Sequence, residues 1–586
     1  METSYDPAPG ERFEHLWGYR DTRFEFCGET TVRVTGDRYP LSGAPLPHFI
    51  PFAEKILGVA LRPQELGSTK APPTLPLPER HSGFLEDLER HFDARQMSAE
   101  DHQRLSHSHG QLSVDEVYRI VSGRAPERVV DLVVYPESEA QLLELVRLAD
   151  DHGVVLIPYG GGTNVSGALL CPGGERRMVV SVNMSRLNRI LELDRANNRA
   201  VVQAGITGKE LEQQLAEAGL TCGHIPDSVE LSTLGGWIAT YASGMKRNRY
   251  GNIEDIVLDA TLISPRGELR TVPVNPRASL GIDPRRLLFG SEGCLGVITR
   301  AVIQVHPLPA VRRYASFVFA DLSAGLAFLR AVQGSAVRPA SIRLASNIEF
   351  RLGQALKREE SRSQALLSRL KSFYLLRVKG FDPQQLVAGT LVLEGSPQEV
   401  RHQWRVLARL LRDMGGVSAG AEAGRRGYQL TFAIAYIRDF LSRFDILGET
   451  FETSALWDRV PAITDAVERE LHEQCRAHGV PGRPYLSFRV SQSYHTGACI
   501  YFTMGFSGRG LERADEIYQR IEHRLREVIL EQGGSLSHHH GIGKVRQAFV
   551  PRVHSPEAIG ALRAVKQRLD PNNVFGAGNN CFGGDS

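Results

Sequence analysis

The stretch Pro158-Tyr159-Gly160-Gly161-Gly162-Thr163-Asn164-Val165-Ser166-Gly167 follows the apolar run from Val154 to Ile157. Glycine lets the backbone turn tightly and direct several N–H groups towards one point, as phosphate oxygens require. The hydroxyl and amide side chains of the stretch add further donors. The pattern favours a loop that holds a diphosphate-bearing cofactor. A glycine-rich surface turn is the alternative for the stretch taken alone.

Three later segments share the character of this glycine loop: Asp227 to Thr233, Thr240 to Gly244 and Gly290 to Ile298. Each combines small residues with hydroxyl groups and backbone N–H donors, which suits a long polar cofactor lying close to the main chain. None closes a GxxxxGK pattern, and none has GxGxxG at a strand-to-helix turn, so a nucleotide hydrolase and a Rossmann fold are disfavoured. The residues predicted to bind the cofactor are Pro158, Tyr159, Gly160, Gly161, Gly162, Thr163, Asn164, Asp227, Ser228, Val229, Glu230, Leu231, Ser232, Thr233, Thr240, Tyr241, Ala242, Ser243, Glu292, Gly293, Cys294, Leu295, Gly296, Val297 and Ile298.

The overall composition indicates a soluble protein with several cores. A chain of 586 residues is too long for one core, and its 42% hydrophobic and 23% charged residues are ordinary values. The net charge of +2 gives no reason to expect nucleic acid or an anionic membrane as the main partner, so any basic site must be local. Seven scattered cysteines without metal-site spacing favour a reducing compartment.

No targeting or membrane-spanning signal stands out. No segment approaches the roughly 18 uninterrupted apolar residues of a membrane span, and the polar start Met1-Glu-Thr-Ser-Tyr-Asp6 is not a signal peptide. The sequence therefore predicts a cytoplasmic protein, with peripheral contact at a membrane surface left open.

Four segments are predicted along the chain. Residues 1–125 contain a proline-rich linker from Ala71 to Pro78 and a charged, helix-like run from Phe84 to Leu112, and are expected to form a partly helical N-terminal extension. From Val129 to about residue 308, short β-branched runs alternate with capped helices. The predicted domains are 1–125 (extension), 126–308 (cofactor binding), 309–545 (substrate-binding cap) and 546–586 (a C-terminal segment returning to the cofactor domain).

Periodicity and caps locate individual elements in the two central segments. In residues 126–308 we expect strands at 129–135, 178–182 and 199–204, and helices opened by the pairs Ser138/Gln141 and Thr207/Glu210. In residues 309–545 we expect strands at 314–319, 340–344, 389–393, 485–492 and 498–504, helices at 324–333 and after Ser396-Pro397, and a helical section from Tyr436 to Gly479. The fold class is α+β, with a mostly antiparallel sheet in the second of these segments.

The cofactor segments resemble a known flavoprotein domain. The loop Pro158 to Val165, with Gly235-Gly-Trp-Ile238 and Gly293 to Ile298, is similar to the FAD-binding domain of the vanillyl-alcohol-oxidase superfamily, and Asp570 to Gly576 is similar to its C-terminal return segment. The resemblance implies a two-part FAD-binding domain. No histidine is identified as a covalent attachment point, so FAD is expected to bind non-covalently.

Further motifs narrow the resemblance to the alkyldihydroxyacetonephosphate synthase family, from about residue 17 to the C-terminus. They are Tyr39-Pro-Leu-Ser-Gly43, Ala242-Ser-Gly-Met-Lys246 with Tyr250 to Asp255, Ser341-Ile-Arg-Leu344, Ala435-Tyr-Ile-Arg-Asp439, Glu449 to Ser454 with Trp457-Asp-Arg459, Gly497 to Phe502 and Ser535 to Gly541. The resemblance implies exchange of the acyl chain of acyl-dihydroxyacetone phosphate for a long-chain fatty alcohol in ether-lipid synthesis. FAD would be a covalent platform with no net redox change, and the resemblance also implies a homodimer.

Four catalytic residues follow from this resemblance. His538, His539 and His540 are important for activity in the family, which fits imidazoles that handle protons and an oxyanion near neutral pH. Three adjacent ligands to one ion would be strained, so no metal is expected. An exposed polar turn or satisfied core histidines are the alternatives. Tyr501 aligns with the family's acid/base tyrosine, and a packing residue with a satisfied hydroxyl is the alternative there.

Two arginines are implied to bind substrate. The family position of Arg438 contacts substrate, where a planar guanidinium suits a phosphate, although a simple ion pair with Asp439 is the alternative. Arg343 is also important in the family and is expected near the flavin and the histidines.

The chain departs from the animal members of the family at two places. His495 stands where they carry an acidic residue, and neither a peroxisomal extension nor a peroxisomal signal at Phe582 to Ser586 is seen. Two other functions stay open: an FAD-dependent 2-hydroxyacid dehydrogenase or oxidase, and a flavin-binding or lipid-carrier protein without activity.

Overall fold

A computed structural model describes residues 10–67, 73–271, 274–358 and 362–583. Within these residues the chain forms two compact units. The first unit contains residues 10–13, 17–67 and 309–535, and the second contains residues 14–16, 73–308 and 536–583.

The strands are numbered in chain order. They are β1 (Phe24–Phe26), β2 (Val32–Val34), β3 (Pro45–Leu46), β4 (Met97–Ser98), β5 (Leu132–Val134), β6 (Val155–Tyr159), β7 (Val179–Asn183), β8 (Ile190–Asp194), β9 (Arg199–Gln203), β10 (Leu220–Thr221), β11 (Val257–Ser264), β12 (Gly267–Leu269), β13 (Val297–Gln304), β14 (His306–Pro307), β15 (Val311–Phe319), β16 (Ser341–Ala345), β17 (Val387–Gly395), β18 (Val417–Ser418), β19 (Ile446–Leu456), β20 (Tyr485–Ser493) and β21 (Gly497–Ser507).

The helices are numbered in the same way. They are α1 (Phe49–Leu57), α2 (Ser82–Leu88), α3 (Asp101–Ser106), α4 (Val114–Val121), α5 (Glu139–His152), α6 (Gly208–Glu217), α7 (Leu234–Thr240), α8 (Arg247–Tyr250), α9 (Ile253–Ile256), α10 (Leu322–Gln333), α11 (Asn347–Ala355), α12 (Arg362–Phe373), α13 (Pro397–Asp413), α14 (Ala421–Leu430), α15 (Ile434–Ser442), α16 (Val460–Ala477), α17 (Ala514–Glu531), α18 (Val550–Val553) and α19 (Pro556–Leu569). In the described part of the chain, no helix is both long and apolar enough to cross a membrane.

The second unit contains two principal sheets. One has the strand order β4-β5-β7-β6, with β7 parallel to both β5 and β6. The other is antiparallel, in the order β12-β11-β13-β9-β8. The predicted caps are confirmed: the Ser138 side chain accepts from the Gln141 N–H before α5, and Thr207 and Glu210 form a capping box before α6.

The first unit is built on one seven-stranded antiparallel sheet, in the order β18-β15-β17-β16-β20-β21-β19. Its apolar face carries large aromatic side chains such as Phe317, Phe319 and Phe502, which are buried. The Phe328 ring of α10 lies 5.0 Å from the Phe317 ring. The predicted antiparallel sheet and the α+β class are therefore confirmed.

Two predicted helical runs are wrong in part. The section from Tyr436 to Gly479 contains α15 and α16, but β19 lies between them and pairs with β21 along its whole length. The run from Phe84 to Leu112 is divided into α2 and α3, because β4 between them pairs with β5. In both places a long-range strand pairing overrides local helix propensity.

The boundaries of the two compact units do not coincide with those of the four predicted domains. The division into four domains stays a prediction. Residues 17–67 pack within the first unit, where the Phe24 ring lies 5.9 Å from the Phe440 ring and the Trp17 N–H donates to the Asp439 carboxylate at 3.0 Å. The Gln96 side chain, by contrast, donates to the Tyr135 carbonyl within the second unit. Of the predicted linker, residues 71 and 72 lie outside the described residues, and residues 73–78 form neither helix nor strand.

Candidate active site

The glycine loop leaves the end of β6 and packs tightly against the predicted segment Asp227 to Thr233. A Cβ atom on Gly161 would lie 2.0 Å from the Leu231 carbonyl oxygen, and one on Gly160 would lie 2.4 Å from the Thr233 hydroxyl oxygen. Gly162 has φ of +70°, in the left-handed region. The second unit thus brings two of the predicted cofactor segments into direct contact.

The segment Gly290 to Ile298 joins the same cluster. A Cβ atom on Gly293 would contact Pro158 at 3.2 Å. The carboxylate of Glu292 accepts from the backbone N–H of Ile542 at 2.6 Å and from that of Gly543 at 2.8 Å. Burial raises the pKa of Glu292 to about 7, although these backbone N–H groups act in the opposite direction. Glu292 therefore holds the chain that directly follows the histidine triplet.

The segment Thr240 to Ser243 lies at the end of α7, next to the same region. The Glu292 N–H donates to the Ala239 carbonyl at 2.9 Å. The Ser243 hydroxyl donates to the side-chain oxygen of Asn252. Asn252 is the residue immediately before α9. All four predicted segments thus belong to one connected part of the second unit.

Lys544 ties the glycine loop to the C-terminal segment. Its ammonium group donates to the Asn579 side chain at 2.7 Å, and the Asn579 amide donates to the carbonyls of Ala168 at 2.9 Å and Glu292 at 3.0 Å. Burial lowers the pKa of Lys544. Within the second unit, the C-terminal segment therefore contacts the chain beside the predicted cofactor segments.

Glu116 holds the residues Gly110 and Gln111, which contact the glycine loop, and it was not identified from the sequence. Its carboxylate accepts from the Gly110 N–H at 2.8 Å, and the Gln111 N–H donates to the Gly162 carbonyl at 2.9 Å. A Cβ atom on Gly110 would lie 2.4 Å from the Asn164 carbonyl oxygen. Burial, with Asp115 as a smaller contribution, raises the pKa of Glu116 to about 8.

The residues of this cluster fit a long polar cofactor. The glycines admit no Cβ atom beside the loop, so main-chain N–H groups can approach a ligand closely. Among the described residues, the hydroxyl groups of Ser166 and Ser291 are buried without a hydrogen-bond partner. Unpartnered buried hydroxyls are costly in a folded protein, so they indicate groups that a ligand satisfies. The chemistry matches the diphosphate and sugar hydroxyls of FAD.

The histidine triplet belongs to the second unit and has a buried histidine in its surroundings. The Nδ1 atoms of His538 and His539 are 2.9 Å apart, and the rings of His539 and His540 are 4.6 Å apart. His224 is fully buried, and its ring lies 4.7 Å from that of Trp237. Burial, with His539 as a smaller contribution, lowers the pKa of His224 to about 3. His224 was missed because it lies outside the four predicted segments, with two residues between it and Asp227, and no periodicity marks it.

Tyr501 lies on β21 in the first unit with a partner on each neighbouring strand. Its hydroxyl donates to the Thr450 hydroxyl of β19 at 3.0 Å. The guanidinium carbon of Arg489, on β20, lies 4.4 Å from the centroid of its ring, and Arg489 in turn pairs with Glu349 at 2.8 Å. Thr450, Arg489 and Glu349 were not singled out from the sequence, although Ser487, Arg489 and Ser491 alternate along β20 in the way that a polar sheet face predicts.

Arg343 lies on the same face of the sheet as Tyr501. Tyr501 is paired with Arg489, Arg489 is paired with Ala345, and Arg343 is two residues from Ala345 on β16. The Arg343 guanidinium donates to the Thr431 hydroxyl at 2.7 Å. Glu452, opposite Tyr501 on β19, is fully buried. A buried sheet face that carries this many charges is costly for stability, which is typical of a functional site.

Arg438 lies on α15, which packs against β19. Its guanidinium pairs with Asp439 at 2.5 Å, and the other oxygen of Asp439 accepts from the Trp17 N–H. The ion pair that was the structural alternative for Arg438 is therefore present, and its role in substrate binding stays a prediction. His495 is exposed in the turn between β20 and β21, where its carbonyl accepts from the Trp457 side chain at 3.2 Å.

Comparison with known proteins agrees with this geometry. Residues 130–273 match a family model described as an FAD binding domain, and residues 308–580 match the C-terminal domain of FAD-linked oxidases. The FAD cofactor is thereby confirmed, while its non-covalent attachment stays a prediction. A solved structure of p-cresol methylhydroxylase, 14% identical with a TM-score of 0.64 over 86% of this chain and 98% of that chain, shares the fold.

More similar chains carry one common name. The alkyldihydroxyacetonephosphate synthase of Caenorhabditis elegans is 40% identical over 96% of this chain and 94% of its own length, and that of Dictyostelium discoideum is 31% identical over 96% and 93%. A solved alkyldihydroxyacetonephosphate synthase structure, 28% identical, covers 96% of this chain and 98% of its own with a TM-score of 0.83. The chain therefore belongs to the alkyldihydroxyacetonephosphate synthase family of FAD-binding enzymes.

Proposed function

We propose that this enzyme forms the ether bond of ether lipids by exchanging the acyl chain of acyl-dihydroxyacetone phosphate for a long-chain fatty alcohol. The observation that carries this proposal is the 40% identity to a chain of that name along almost the whole of both sequences. The bond between C1 and the ester oxygen breaks, and the fatty acid leaves with both its oxygen atoms. The alcohol oxygen forms the new bond to C1, and its proton accompanies the fatty acid. Electrons are neither gained nor lost overall.

Tyr501 acts in this proposal as the acid/base group at C1, where the neighbouring ketone makes loss of a C–H proton feasible. Its hydroxyl has an oxygen partner in Thr450, and the cationic Arg489 lies over its ring. The contacts of the described residues thus suit the role, which the substitutions in the Discussion test.

The remaining polar groups are proposed to bind the phosphate and handle protons. Arg343 and Arg438 offer planar guanidinium groups suited to a phosphate, and Arg343 shares the sheet face of Tyr501. His538, His539 and His540 are proposed to move protons and to stabilise negative charge near neutral pH. FAD, when bound by the glycine loop and its partner segments, supplies covalent catalysis without net electron transfer.

The proposal is tested by incubating purified enzyme with palmitoyl-dihydroxyacetone phosphate and hexadecanol in the absence of an electron acceptor. The expected products are the hexadecyl ether and free palmitate in equal amounts. The match of residues 308–580 to FAD-linked oxidases favours a second candidate, a 2-hydroxyacid dehydrogenase or oxidase. Reduction of an acceptor by 2-hydroxyacids without any ether product would establish the second candidate and exclude the first.

Non-covalent attachment of FAD is tested separately. Acid precipitation of the yellow protein should leave the flavin in the supernatant and a colourless pellet. A yellow pellet would show a covalent bond and contradict this part of the proposal.

A further inference from the structure

Two buried hydroxyl groups in the first unit have no hydrogen-bond partner among the described residues, and both lie near Arg343. One belongs to Tyr428 on α14, whose side chain is 6% exposed. The other belongs to Ser341 on β16, which is 2% exposed. A buried polar group that stays unsatisfied destabilises a folded protein. Two such hydroxyls beside a predicted substrate-binding arginine therefore indicate a ligand that satisfies them.

The guanidinium of Arg343 has hydroxyl-bearing side chains from both the sheet and α14 near it. Ser341 and Arg343 are two residues apart on β16, so their side chains lie on the same face of the sheet. The guanidinium carbon of Arg343 is 6.0 Å from the centroid of the Tyr428 ring. Its Nη1 donates to the hydroxyl of Thr431, the residue that follows α14, at 2.7 Å. The three hydroxyl-bearing residues thus lie around one cation.

Helix α14 holds Tyr428 in a fixed position over the sheet. A Cβ atom on Gly424 would lie 2.3 Å from the Ala315 carbonyl oxygen, so the helix packs directly against β15. The Tyr428 ring also lies 5.8 Å from the ring of Tyr314, another residue of β15. Close packing of this kind leaves the phenol little freedom to turn towards another acceptor. Tyr428 is therefore a pre-organised hydrogen-bonding group.

The chemistry of these groups suits an anion with several oxygen atoms. Burial raises the pKa of Tyr428, although the charge of Arg343 acts in the opposite direction, so the phenol keeps its proton near neutral pH. The phenol and the Ser341 hydroxyl can each donate one hydrogen, and a guanidinium adds a planar set of N–H donors. A single ketone oxygen has two lone pairs and cannot accept from all three groups, whereas a phosphate monoester can.

We propose that Tyr428 and Ser341 bind the phosphate of acyl-dihydroxyacetone phosphate together with Arg343. The identity of this substrate rests on the proposed function, and the inference adds two binding residues to it. Arg343 shares the sheet face of Tyr501, so a phosphate held here would keep the rest of the substrate on the face that carries the acid/base group. The carboxylate of a fatty acid has similar acceptor oxygens, and the test separates it from the phosphate.

The test measures binding without turnover, by calorimetric titration of the full-length, flavin-loaded protein. The two ligands are octyl-dihydroxyacetone phosphate and octyl-dihydroxyacetone, which differ only in the phosphate. The wild type should bind the phosphorylated ligand more tightly. Tyr428→Phe should weaken binding of that ligand by about tenfold and Ser341→Ala by about threefold, because each loses a hydrogen bond to a charged group. Neither variant should change the affinity for octyl-dihydroxyacetone or the flavin content.

Two further measurements separate binding from a structural role. Tyr314→Phe is the matched control, because Tyr314 packs beside Tyr428 but is partly exposed, and it should bind both ligands like the wild type. Thermal melting without ligand is the second measurement. Removing a buried hydroxyl that has no partner relieves an unfavourable burial, so Tyr428→Phe should melt at the wild-type temperature or about 1 to 2 °C above it. A hydroxyl with a structural role would instead lower the melting temperature when removed.

Three results would overturn the proposal. The first is an equal loss of affinity for both ligands in Tyr428→Phe, or a loss of the same size in Tyr314→Phe. The second is a melting temperature of Tyr428→Phe several degrees below that of the wild type. The third is weaker binding of octanoate by Tyr428→Phe with unchanged binding of the phosphorylated ligand, which would assign the hydroxyl to the fatty carboxylate. None of these results depends on ether formation, so failure of the subsite and failure of the proposed reaction are distinguishable.

Discussion

The guanidinium of Arg489 lies over the ring of Tyr501, with 4.4 Å between its central carbon and the ring centroid. The same guanidinium pairs with Glu349 of α11 at 2.8 Å, so it is held between a helix and β21. Thr450 holds the other end of Tyr501 through its hydroxyl. The phenol proposed as the acid/base group is therefore fixed at both its ring and its oxygen, which is the pre-organisation that proton transfer requires.

Replacing Arg489 by Lys should separate two effects on Tyr501, the contact of the planar guanidinium with its ring and the nearby positive charge. The ammonium keeps the positive charge and can reach Glu349, but it lacks the planar group that lies on the ring. We expect kcat to fall by about tenfold, with KM for acyl-dihydroxyacetone phosphate and the melting temperature little changed. Glu349→Gln, which leaves the guanidinium in place, serves as the matched control. Equal kcat values for Arg489→Lys and the wild type would show that the stacking has no catalytic role.

Replacing Tyr501 by Phe removes only the hydroxyl. Turnover should fall by about 10² to 10⁴-fold, because general acid–base groups contribute this much, while the protein stays yellow. Tyr485→Phe is the matched control, since Tyr485 lies on the adjacent β20 and has no contact with Tyr501 in the strand pairing. Steady-state ether formation and flavin absorbance measure the two effects. Normal activity of Tyr501→Phe would show that this tyrosine is a packing residue and not the acid/base group.

Replacing Gly161 by Ala should abolish FAD binding. Its Cβ would lie 2.0 Å from the Leu231 carbonyl oxygen, so the glycine loop must move away from the segment Asp227 to Thr233. Gly174→Ala is the control, because nothing lies within 4 Å of a Cβ atom there. Flavin absorbance per mole of purified protein should fall to near zero in the first variant and stay normal in the second. Full flavin content in Gly161→Ala would place the cofactor elsewhere.

Because Glu116 is buried, we expect the free energy of unfolding to fall as the pH rises. Its pKa is about 8 in the folded chain against 4.5 when exposed, so the folded state binds the proton more tightly. The stabilisation is complete below about pH 4.5 and is lost as the pH rises to about 8. Glu116→Gln keeps an acceptor for the Gly110 N–H and removes the titration. The wild-type melting temperature should therefore fall by roughly 2 to 5 °C more than that of the variant between pH 5 and 8.

The exposed Glu89 provides the comparison for that experiment. Glu89→Gln should leave the pH dependence of melting as it is in the wild type. Parallel melting curves for wild type and Glu116→Gln across this pH range would mean that Glu116 is ionised in the folded chain, contrary to the expected effect of its burial.

Features with local causes could be predicted from the sequence. The caps at Ser138, Thr207 and Ser396 are where the Ser/Thr and Glu/Gln spacing predicts them, because a cap bonds only to its own first turn. The glycine loop likewise needs a conformation that few residues other than glycine adopt. The roles assigned to Arg438, Tyr501 and the histidines came from resemblance and not from physical pattern.

Features with distant causes could not be predicted in this way. Strand β19 carries helix-favouring residues such as Glu449 and Glu452, and only pairing with β21, about fifty residues later, makes it a strand. Arg489 and Glu116 have ordinary neighbours in sequence, and their importance comes from Tyr501 and from the glycine loop.

The most direct test of the proposed function follows the oxygen of the alcohol. Enzyme is incubated with palmitoyl-dihydroxyacetone phosphate and hexadecanol labelled with ¹⁸O, and both products are analysed by mass spectrometry. Cleavage of the bond between C1 and the ester oxygen predicts that the ether contains all the ¹⁸O and that the released palmitate contains none. Label in hexadecyl palmitate without a labelled ether would show ester exchange instead, and would contradict the proposed function.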